Sequence, residues 1–595
     1  MSIDREAAEQ RPREQIRRQA IVLVHGMGEQ IPMETVRDFA TAVWASDRDL
    51  HSDQEKKAGE LFSVPDSTTG SRELRRISTR KSRPRRGGDG ENYAVRNEFF
   101  ELYWADSTAD TTWADFLAWY SRLVFRSCKN VPKAVFWIWL LLWGINILFL
   151  LGAEITALWF VQTEIDTCFA TARLMVSKVD AEIPVCTEYK EAFQTPTAAI
   201  TATLIWVPAM IAIVGWITTH FRPLKKYGNW IWPAAALVAV WSLLVFVGLM
   251  AKPFIVLATQ QHNVFWPGLV MLAGFVLLVL QGFLIKFFGD VARYTLPSPG
   301  NIVSRQKVRD RGVALINKLT ATGRYDRIIL VSHSLGCLIA YDILCLLWAD
   351  YVASRTKSGA FPDAARTRRE IEDVVHAATS EPLDVRQFRR AQRALFRALK
   401  KADAERLGDN PEAEDATARW LISDLVTIAN PLTHSEFLLA PTKKQLDDRF
   451  KWRELSRCPP RLEDSGNAKS FVHPTDLKDA SRLNHDAVFS AVRWTSIHDS
   501  PKNPALFLSG DFISGPVAGI FGHGIVDVKV QPRWKSAMPE RVFTHTIYWE
   551  LKQANYGHLP RSVRVIRNAV NILDEDAREE ALLKDAQRVP ASSSA

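Results

Sequence analysis

Short apolar runs that end at turns recur through the charged parts of the chain, with amphipathic stretches between them. Such runs are typical of strands in a parallel sheet, because helices cover both of its faces. We predict strands at 20–24 (AIVLV), 97–104 (NEFFELYW), 327–332 (RIILVS), 424–429 (DLVTIA), 491–498 (AVRWTSIH) and 541–544 (RVFT). We predict helices at 33–44, 303–320 and 335–347. Strands that alternate with helices predict an α/β domain on a parallel sheet.

Several charged segments depart from this pattern. Residues 47–92 are rich in Ser, Gly, Pro and charge, which predicts a loop or hairpin region. Its basic run could meet anionic lipid or remain a solvated surface. Residues 364–407 are highly charged and helical, and we predict a cap or an exposed arm within 351–420. The charged ends of the chain, 1–19 and 576–595, are predicted to be tails.

Four long apolar segments without a charged side chain interrupt the α/β pattern. They are 134–153, 197–219, 230–251 and 264–285. A helix that crosses a bilayer needs about 20 apolar residues. Four buried core helices of this length in succession are the alternative. We predict a four-helix transmembrane bundle at 131–290, inserted between the two parts of the α/β domain, 20–130 and 291–575.

Lysine and arginine indicate how these spans are oriented, since both are enriched in cytoplasmic loops. They cluster before the first span, between the second and third, and after the fourth. The loop 161–196 instead carries six acidic and three basic residues, so we expect it on the extracytoplasmic side. The α/β domain is then cytoplasmic. The net charge of +9 fits an anionic membrane surface, and the sequence carries no nucleic-acid-binding motif.

Cysteine placement agrees with this topology. Cys168 and Cys186 lie in the loop 161–196, where an oxidising compartment would allow a disulfide. Two unpaired thiols are the alternative. No spacing of cysteine or histidine suggests zinc, and we expect neither a metal nor a cofactor.

The segment VSHSLG at 331–336 carries the clearest candidate chemistry. In the motif G-x-S-x-G, a sharp turn between a strand and a helix exposes the nucleophilic serine. The residues two positions before and two positions after this serine are small, because the backbone approaches itself closely there. Here Ser332 and Gly336 flank Ser334, with His333 beside it. Ser332 replaces the usual glycine and could add strain. Ser334 is the candidate nucleophile.

Two backbone N–H groups are candidates for stabilising an oxyanion next to this serine. Leu335 stands at the start of the helix that follows it, and its N–H points to where an oxyanion would form. Met27 lies in the early turn His25-Gly26-Met27 after the first strand, which is the usual place for the second donor. The alternative for this segment is a glycine turn with a structural histidine.

A serine nucleophile needs a histidine base and a carboxylate that orients the base. On this kind of strand-turn-helix the chain order is Ser, acid, His. His545, just beyond the predicted last strand, fits the base best. Asp499 at the end of strand 491–498 and Asp511 in the later loop SGDFISGP are both candidate acids. Position alone favours Asp499, because it needs no extra chain.

Taken together, the motifs resemble lipase-like serine hydrolases of the α/β-hydrolase superfamily. Those that carry the likeness are VLVHGMGEQ, FFELYWAD, VSHSLG, LVTIANPLTHSEFLL, AVRWTSIHD with the later SGDFISGP, and FTHTIYW. The nearest likeness is to bacterial membrane-associated members, with a more distant one to GPI inositol-deacylase-like lipases. The resemblance covers 20–46, 97–106 and 301–560. In such proteins a G-D-P-[IV]-G-G-P loop supplies the acid, and 510–516 is similar to it, which moves the preference to Asp511.

The resemblance implies a membrane-anchored serine hydrolase that cleaves carboxylic esters with Ser334, His545 and Asp511. Its expected partners are membrane lipids and an apolar ester or lipid substrate, and nucleic acid is not expected. The alternative is a catalytically weak or inactive hydrolase-fold protein that acts as a membrane-tethered binding module.

Overall fold

A computed structural model of the chain describes the residues on which the following account rests. They are 15–27, 31–51, 59–71, 73–86, 92–107, 113–126, 130–131, 136–137, 139–140, 142–144, 290–296, 299–356, 362–378, 380–409, 419–465, 468–473, 482–501, 509–533, 543–553 and 559–588. The chain divides into two compact units, of which Met1–Thr112 with Lys286–Ala595 forms one and Trp113–Ile285 the other.

Most of the predicted membrane insertion lies outside the described residues. This holds for the last three predicted spans and for the loop 161–196 with Cys168 and Cys186, while the first span is described at seven positions. Within the described part, one helix, Gly336–Ser354, is long and apolar enough to cross a membrane, and 67% of its most apolar stretch is buried. A core helix of an α/β domain has the same length and composition. The described residues therefore lend no support to a four-helix bundle.

Nine of the described strands form a single mixed sheet. In chain order the strands are β1 (Gln15–Val24), β2 (Leu61–Val64), β3 (Arg76–Lys81), β4 (Arg85–Arg86), β5 (Asn92–Leu102), β6 (Arg327–His333), β7 (Ile422–Ile428), β8 (Glu463–Ser465), β9 (Ala468–Ser470), β10 (Val472–His473), β11 (Arg482–Leu483), β12 (Arg493–His498) and β13 (Val526–Lys529). The sheet order is β13-β12-β7-β6-β1-β5-β3-β2, with β4 paired to β5. The short pairs β8–β9 and β10–β11 lie outside it.

The six strands from β13 to β5 run parallel, and β2, β3 and β4 add an antiparallel edge. β6 and β7 are buried along their whole length, which explains why the sequence shows them as uninterrupted apolar runs. The prediction of an α/β domain on a mostly parallel sheet is confirmed. We call the side at which the parallel strands end the carboxyl edge, and the opposite side the amino edge.

Helices lie on both faces of this sheet. In the unit that holds the sheet, helices are described at α1 (Glu34–Ala40), α3 (Pro299–Ala321), α4 (Gly336–Thr356), α5 (Pro362–Ala377), α6 (Val385–Asp409), α7 (Ser435–Leu438), α8 (Lys443–Lys451), α9 (Ala518–Phe521), α10 (Arg561–Val570) and α11 (Asp576–Gln587). α2 (Trp113–Val124) belongs to the other unit. Apolar side chains of α1, α10 and α11 pack with alternate side chains of the central strands, such as Leu23 and Val331. α4 packs against the opposite face of β1, β6 and β7. The intervening side chains of these strands point to that face.

The region 47–92 fits the predicted loop or hairpin region, because it contains the strands β2, β3 and β4, and β2 pairs with β3 in antiparallel fashion. Two other sequence predictions about elements differ from the structure. No strand is formed at Phe543–Thr544, because Thr544–Thr546 is a 3₁₀ turn, and β13 is the last strand among the described residues. The predicted tails contribute to the fold as well: 15–19 belongs to β1, and 576–587 forms α11, whose Leu582 is fully buried.

The charged segment 364–407 is not an exposed arm. Its second helix, α6, buries Phe388, Arg389 and Gln392. The Arg389 guanidinium donates to the Trp494 carbonyl at 3.1 Å and pairs with Glu579 on α11. The basic character of α6 therefore serves contacts inside the domain.

A network of buried charges closes the amino edge of the sheet. Asp424 on β7 lies 2.6 Å from an Arg327 guanidinium nitrogen on β6 and 2.8 Å from one of Arg493 on β12. Asp574, between α10 and α11, pairs with both of these arginines. Burial alone would raise the pKa of Asp424, but Arg493 and Arg327 lower it to about 2. Paired charges thus join three strands at the edge remote from Ser334.

Candidate active site

Ser334 occupies the turn between β6 and α4, at the carboxyl edge. Its φ of 54° is in the left-handed region, which for a residue with a side chain stores about 1–3 kcal/mol of strain. The Ser334 N–H donates to the Ile428 carbonyl at 3.0 Å, and the Ser334 carbonyl accepts from the Cys337 N–H at 2.9 Å. β7 and the start of α4 therefore hold the strained turn in place.

Gly26 and Gly336 allow two chain segments to meet around this turn. A Cβ on Gly26 would lie 3.0 Å from Cβ of Ser334 and 2.9 Å from Nδ1 of His333. A Cβ on Gly336 would lie 2.4 Å from the carbonyl oxygen of His25, closer than real contacts allow. The absence of side chains at these two positions brings the turn after β1 against Ser334.

Ser332 does not carry the strain that its replacement of glycine suggested. It lies inside β6, paired with Val24 on one side and Thr427 on the other, and it is fully buried. Its hydroxyl is 3.4 Å from the Val426 carbonyl oxygen. A small serine fits this strand position, and the positive φ falls on Ser334.

His545 connects the serine to an acid. Its Nε2 is 2.8 Å from Oγ of Ser334, and its Nδ1 is 3.0 Å from each carboxylate oxygen of Asp511. When Nδ1–H donates to the carboxylate, Nε2 is unprotonated and accepts from the serine hydroxyl. The relative exposures are only 2% for Ser334, 4% for His545 and 0% for Asp511. Ser334, His545 and Asp511 thus form a buried, connected chain.

The two candidate acids have different partners. Asp511 contacts the His545 ring, whereas Asp499 accepts from Oγ1 of Thr544 at 2.7 Å. The Asp511 N–H donates to the Asp499 carbonyl at 2.9 Å. Asp499 therefore steadies the residue that precedes His545 and the loop that carries Asp511.

The Asp511 carboxylate has further hydrogen-bond donors. It accepts from the Tyr548 hydroxyl at 2.8 Å and from the Ile513 N–H at 3.0 Å. Burial alone would raise the pKa of Asp511, but His545, Ser514 and Tyr548 lower it to about 2. The carboxylate therefore stays ionised at neutral pH and can stabilise a histidinium.

His333 joins the serine turn to the histidine turn. Its Nε2–H donates to the His545 carbonyl at 2.8 Å, and its ring packs edge-on against Trp549 at 5.0 Å between centroids. Burial, with a smaller effect from His545, lowers the pKa of His333 to about 3. A neutral His333 adds no second positive charge beside His545.

His25 is a structural part of the turn after β1. Its Nε2 accepts from the Trp104 N–H at 3.1 Å, and its Nδ1 donates to the Gly26 carbonyl at 2.8 Å. Burial lowers the pKa of His25 to about 4. Because C=O and N–H of a trans peptide point in opposite directions, the bond to Gly26 fixes the direction of the Met27 N–H. Leu335 immediately precedes α4, so its N–H lies outside the helical hydrogen-bond ladder.

The segment after β7 supports the loop that carries the acid. His434 donates from Nε2 to the Phe512 carbonyl at 3.0 Å, and Thr433 donates from Oγ1 to the Pro516 carbonyl at 3.0 Å. A Cβ on Gly515 would lie 2.6 Å from Oγ1 of Thr433. The segment NPLTH is therefore in direct contact with GDFISGP and holds the loop that carries Asp511 in place.

Sequence reasoning missed the roles of Tyr548 and Ser514. Tyr548 follows His545 by three residues in HTIYW and lies two residues beyond the 3₁₀ turn Thr544–Thr546 that holds His545. That spacing next to a candidate base is the one local signal that pointed to Tyr548. Ser514 gave no signal, since only the folded loop brings it to Tyr548.

No metal site accompanies this arrangement in the described residues: they contain no group of three or more His, Cys, Asp or Glu that could hold an ion. The described cysteines, Cys337, Cys345 and Cys458, are free thiols. Burial raises the pKa of Cys337 and of Cys345 to about 12, which leaves both unreactive.

Comparisons with protein-family models, curated proteins and solved structures found no match to this chain. The class of site is defined by its geometry. A serine with a strained backbone is hydrogen-bonded to a histidine, and the histidine is hydrogen-bonded to an ionised carboxylate.

Proposed function

We propose that this chain is a serine hydrolase that cleaves carboxylic esters. The observation that carries the proposal is the hydrogen-bonded chain from Ser334 through His545 to Asp511. His545 takes the proton of Ser334 while Oγ attacks the ester carbonyl, and then gives it to the leaving alcohol. A water deprotonated by the same histidine then attacks the acyl-enzyme and releases the acid. Asp511 holds the ring and stabilises the histidinium.

In this reaction the N–H groups of Leu335 and Met27 would stabilise the oxyanion. A Cβ on Gly26 would lie only 3.0 Å from Cβ of Ser334, and this closeness of the turn to the proposed nucleophile supports the role of the Met27 N–H. Losing one such donor costs about 10²–10³-fold in rate in hydrolases of this mechanism.

Strand order and turn geometry support assigning the fold to the α/β-hydrolase superfamily. The nucleophile follows a central parallel strand, and the acid and base follow later strands in the order Ser, Asp, His. The strained φ of Ser334 favours the enzyme over the binding module, because such strain persists mainly where function requires it.

Apolar esters, including membrane lipids, are the proposed substrates. The Phe543 ring stacks on His545 at 5.8 Å and lies 5.6 Å from that of Phe512, which gives an apolar wall beside the base. In the second unit, Trp137 and Leu140 are each 45% exposed, as expected where a predicted span begins.

The test of the function is covalent labelling of full-length protein in membranes by a fluorophosphonate. We expect the wild type to be labelled and Ser334→Ala not to be, because the probe bonds to an activated serine oxygen. Ser490→Ala, at another buried serine, should label like the wild type. Labelling that survives Ser334→Ala would remove Ser334 as nucleophile, and a folded wild type without labelling would refute the enzyme.

We also propose that the four predicted spans anchor the protein with its α/β domain in the cytoplasm. Ser177→Cys in the loop 161–196 should then react with a membrane-impermeant maleimide on intact cells from which any outer membrane or cell wall has been removed. Glu405→Cys on α6 should react only after lysis. Both substitutions are introduced into a variant in which the six native cysteines have been replaced, so that only the new thiol can react. The reverse pattern would contradict this topology.

A further inference from the structure

The Tyr548 side chain contacts the acid of the proposed triad from a fully buried position. Its hydroxyl donates to Oδ2 of Asp511 at 2.8 Å, and Oγ of Ser514 lies 3.0 Å from the same hydroxyl. The Asp499 N–H donates to Oγ of Ser514 at 3.3 Å. A buried hydrogen-bonded chain therefore runs from the Asp499 backbone through two hydroxyls to the carboxylate.

We propose that Tyr548 is a positioning residue that holds the Asp511 carboxylate against His545 and thereby sets the pH dependence of Ser334 activation. This inference rests on the proposed hydrolase function. Nδ1 of His545 is 3.0 Å from each oxygen of Asp511, so the ring alone does not select one rotation of the carboxylate. The Ile513 N–H holds Oδ1 at 3.0 Å, and the Tyr548 hydroxyl holds Oδ2, so the two donors together fix the carboxylate and Tyr548 positions its second oxygen.

The direction of the pH effect follows from the charges. The Tyr548 O–H withdraws charge from the Asp511 carboxylate, as hydrogen bonds to an ionised acid do. Without this bond the carboxylate attracts the protonated form of His545 more strongly. A protonated histidine cannot accept the serine proton, so the acid limb of the rate profile should move to higher pH. A carboxylate held at Oδ1 alone, by the Ile513 N–H, should also be less well positioned and lower the plateau rate.

Other groups around this centre do not account for such a shift. The titratable and charged groups near it on neighbouring elements are His333 on β6, Cys337 on α4, His434 after β7, and His498 and Asp499 at the end of β12, with Lys529 on β13 acting on His498. Burial lowers the pKa of all three histidines, to about 3 for His333 and His498. Burial therefore disfavours the protonated form of each of these three histidines.

The test compares the rate of fluorophosphonate labelling from about pH 5 to about pH 9 in wild type, Tyr548→Phe and Tyr341→Phe. Tyr341 is the matched control, because its buried hydroxyl donates to the Ser456 carbonyl, also at 2.8 Å, away from the triad. For Tyr548→Phe we expect a plateau rate about tenfold lower and an acid limb about 0.5 pH unit higher. Tyr341→Phe should retain the wild-type limb.

Each outcome separates this inference from the proposed function. A labelled, folded Tyr548→Phe with an unshifted limb overturns the inference and leaves the hydrolase in place, and so does an equal shift in Tyr341→Phe. If Tyr548→Phe does not fold, Ser514→Ala takes its place, with a smaller shift expected in the same direction. An unshifted limb there overturns the inference. A wild type that is not labelled refutes the function, and the inference with it.

Discussion

Replacing Asp511 by asparagine is expected to lower kcat for p-nitrophenyl butyrate hydrolysis by about 10³–10⁴-fold. An amide at this position can donate to Nδ1 of His545, which selects the tautomer with its proton on Nε2. That tautomer cannot accept the proton of Ser334. Steady-state kinetics of the full chain would measure the loss. KM should change little, because the carboxylate is behind the ring and does not contact the reacting ester.

The same substitution at Asp499 is the matched control. Its carboxylate accepts from Oγ1 of Thr544 at 2.7 Å, and an amide oxygen can keep that bond. The expected loss in kcat is below about tenfold. A larger loss for Asp499→Asn than for Asp511→Asn would transfer the role of the acid to Asp499.

The pH range over which the Asp511 effect holds follows from its pKa. The pKa of about 2 lies below the ordinary 3.8 of an aspartate, so the carboxylate is ionised above about pH 4. The ratio of wild-type to Asp511→Asn rates should therefore be large across the neutral range rather than confined to one end of it.

How much of the fold the sequence predicts depends on where each strand lies in the sheet. β6 and β7 are covered on both faces and show as continuous apolar runs, so they were predicted to within two residues. β2 and β3 lie at the antiparallel edge and are only partly buried, and their charged side chains hide the strand pattern. β13 is short, with only Val526 and Val528 well buried, and it was missed for the same reason.

The exposed-arm alternative for α6 is wrong, because the partners of its charged side chains are distant in sequence. Arg389 and Arg393 pair with Glu579 and Asp574, which follow them by more than 180 residues. A helix rich in arginine is usually read as exposed. Only the folded chain shows that acids on the neighbouring α11 region neutralise it.

The candidate site could be predicted in part. The order of Ser334, Asp511 and His545 along the chain was sufficient to select serine and histidine, because each follows a predicted strand. The choice between Asp499 and Asp511 could not come from spacing. The loop folds back so that the Asp511 N–H bonds to the Asp499 carbonyl, and the two residues become neighbours in space.

Asp424→Asn is expected to destabilise the domain by about 3–5 kcal/mol without altering the chemistry. Removing this carboxylate charge leaves Arg327 and Arg493, each nearly fully buried, without their nearest counter-ion. The pKa of Asp424 is lowered to about 2 in the folded protein. Its contribution to the free energy of unfolding is therefore complete above about pH 4 and is lost as the pH falls from there through the pKa of about 2.

Thermal unfolding of the purified full chain, followed by tryptophan fluorescence at neutral pH, would measure this effect. A loss of that size lowers the apparent melting temperature by on the order of 10 °C. Glu405→Gln is the control, because Glu405 pairs with Lys401 on an exposed face of α6 and such pairs contribute less than about 1 kcal/mol.

Below the melting temperature, the fluorophosphonate labelling rate of Asp424→Asn should equal that of the wild type, because Asp424 lies on the amino side of β7 and Ser334 at the carboxyl edge. A melting temperature like that of Glu405→Gln would show that the buried network does not stabilise the sheet.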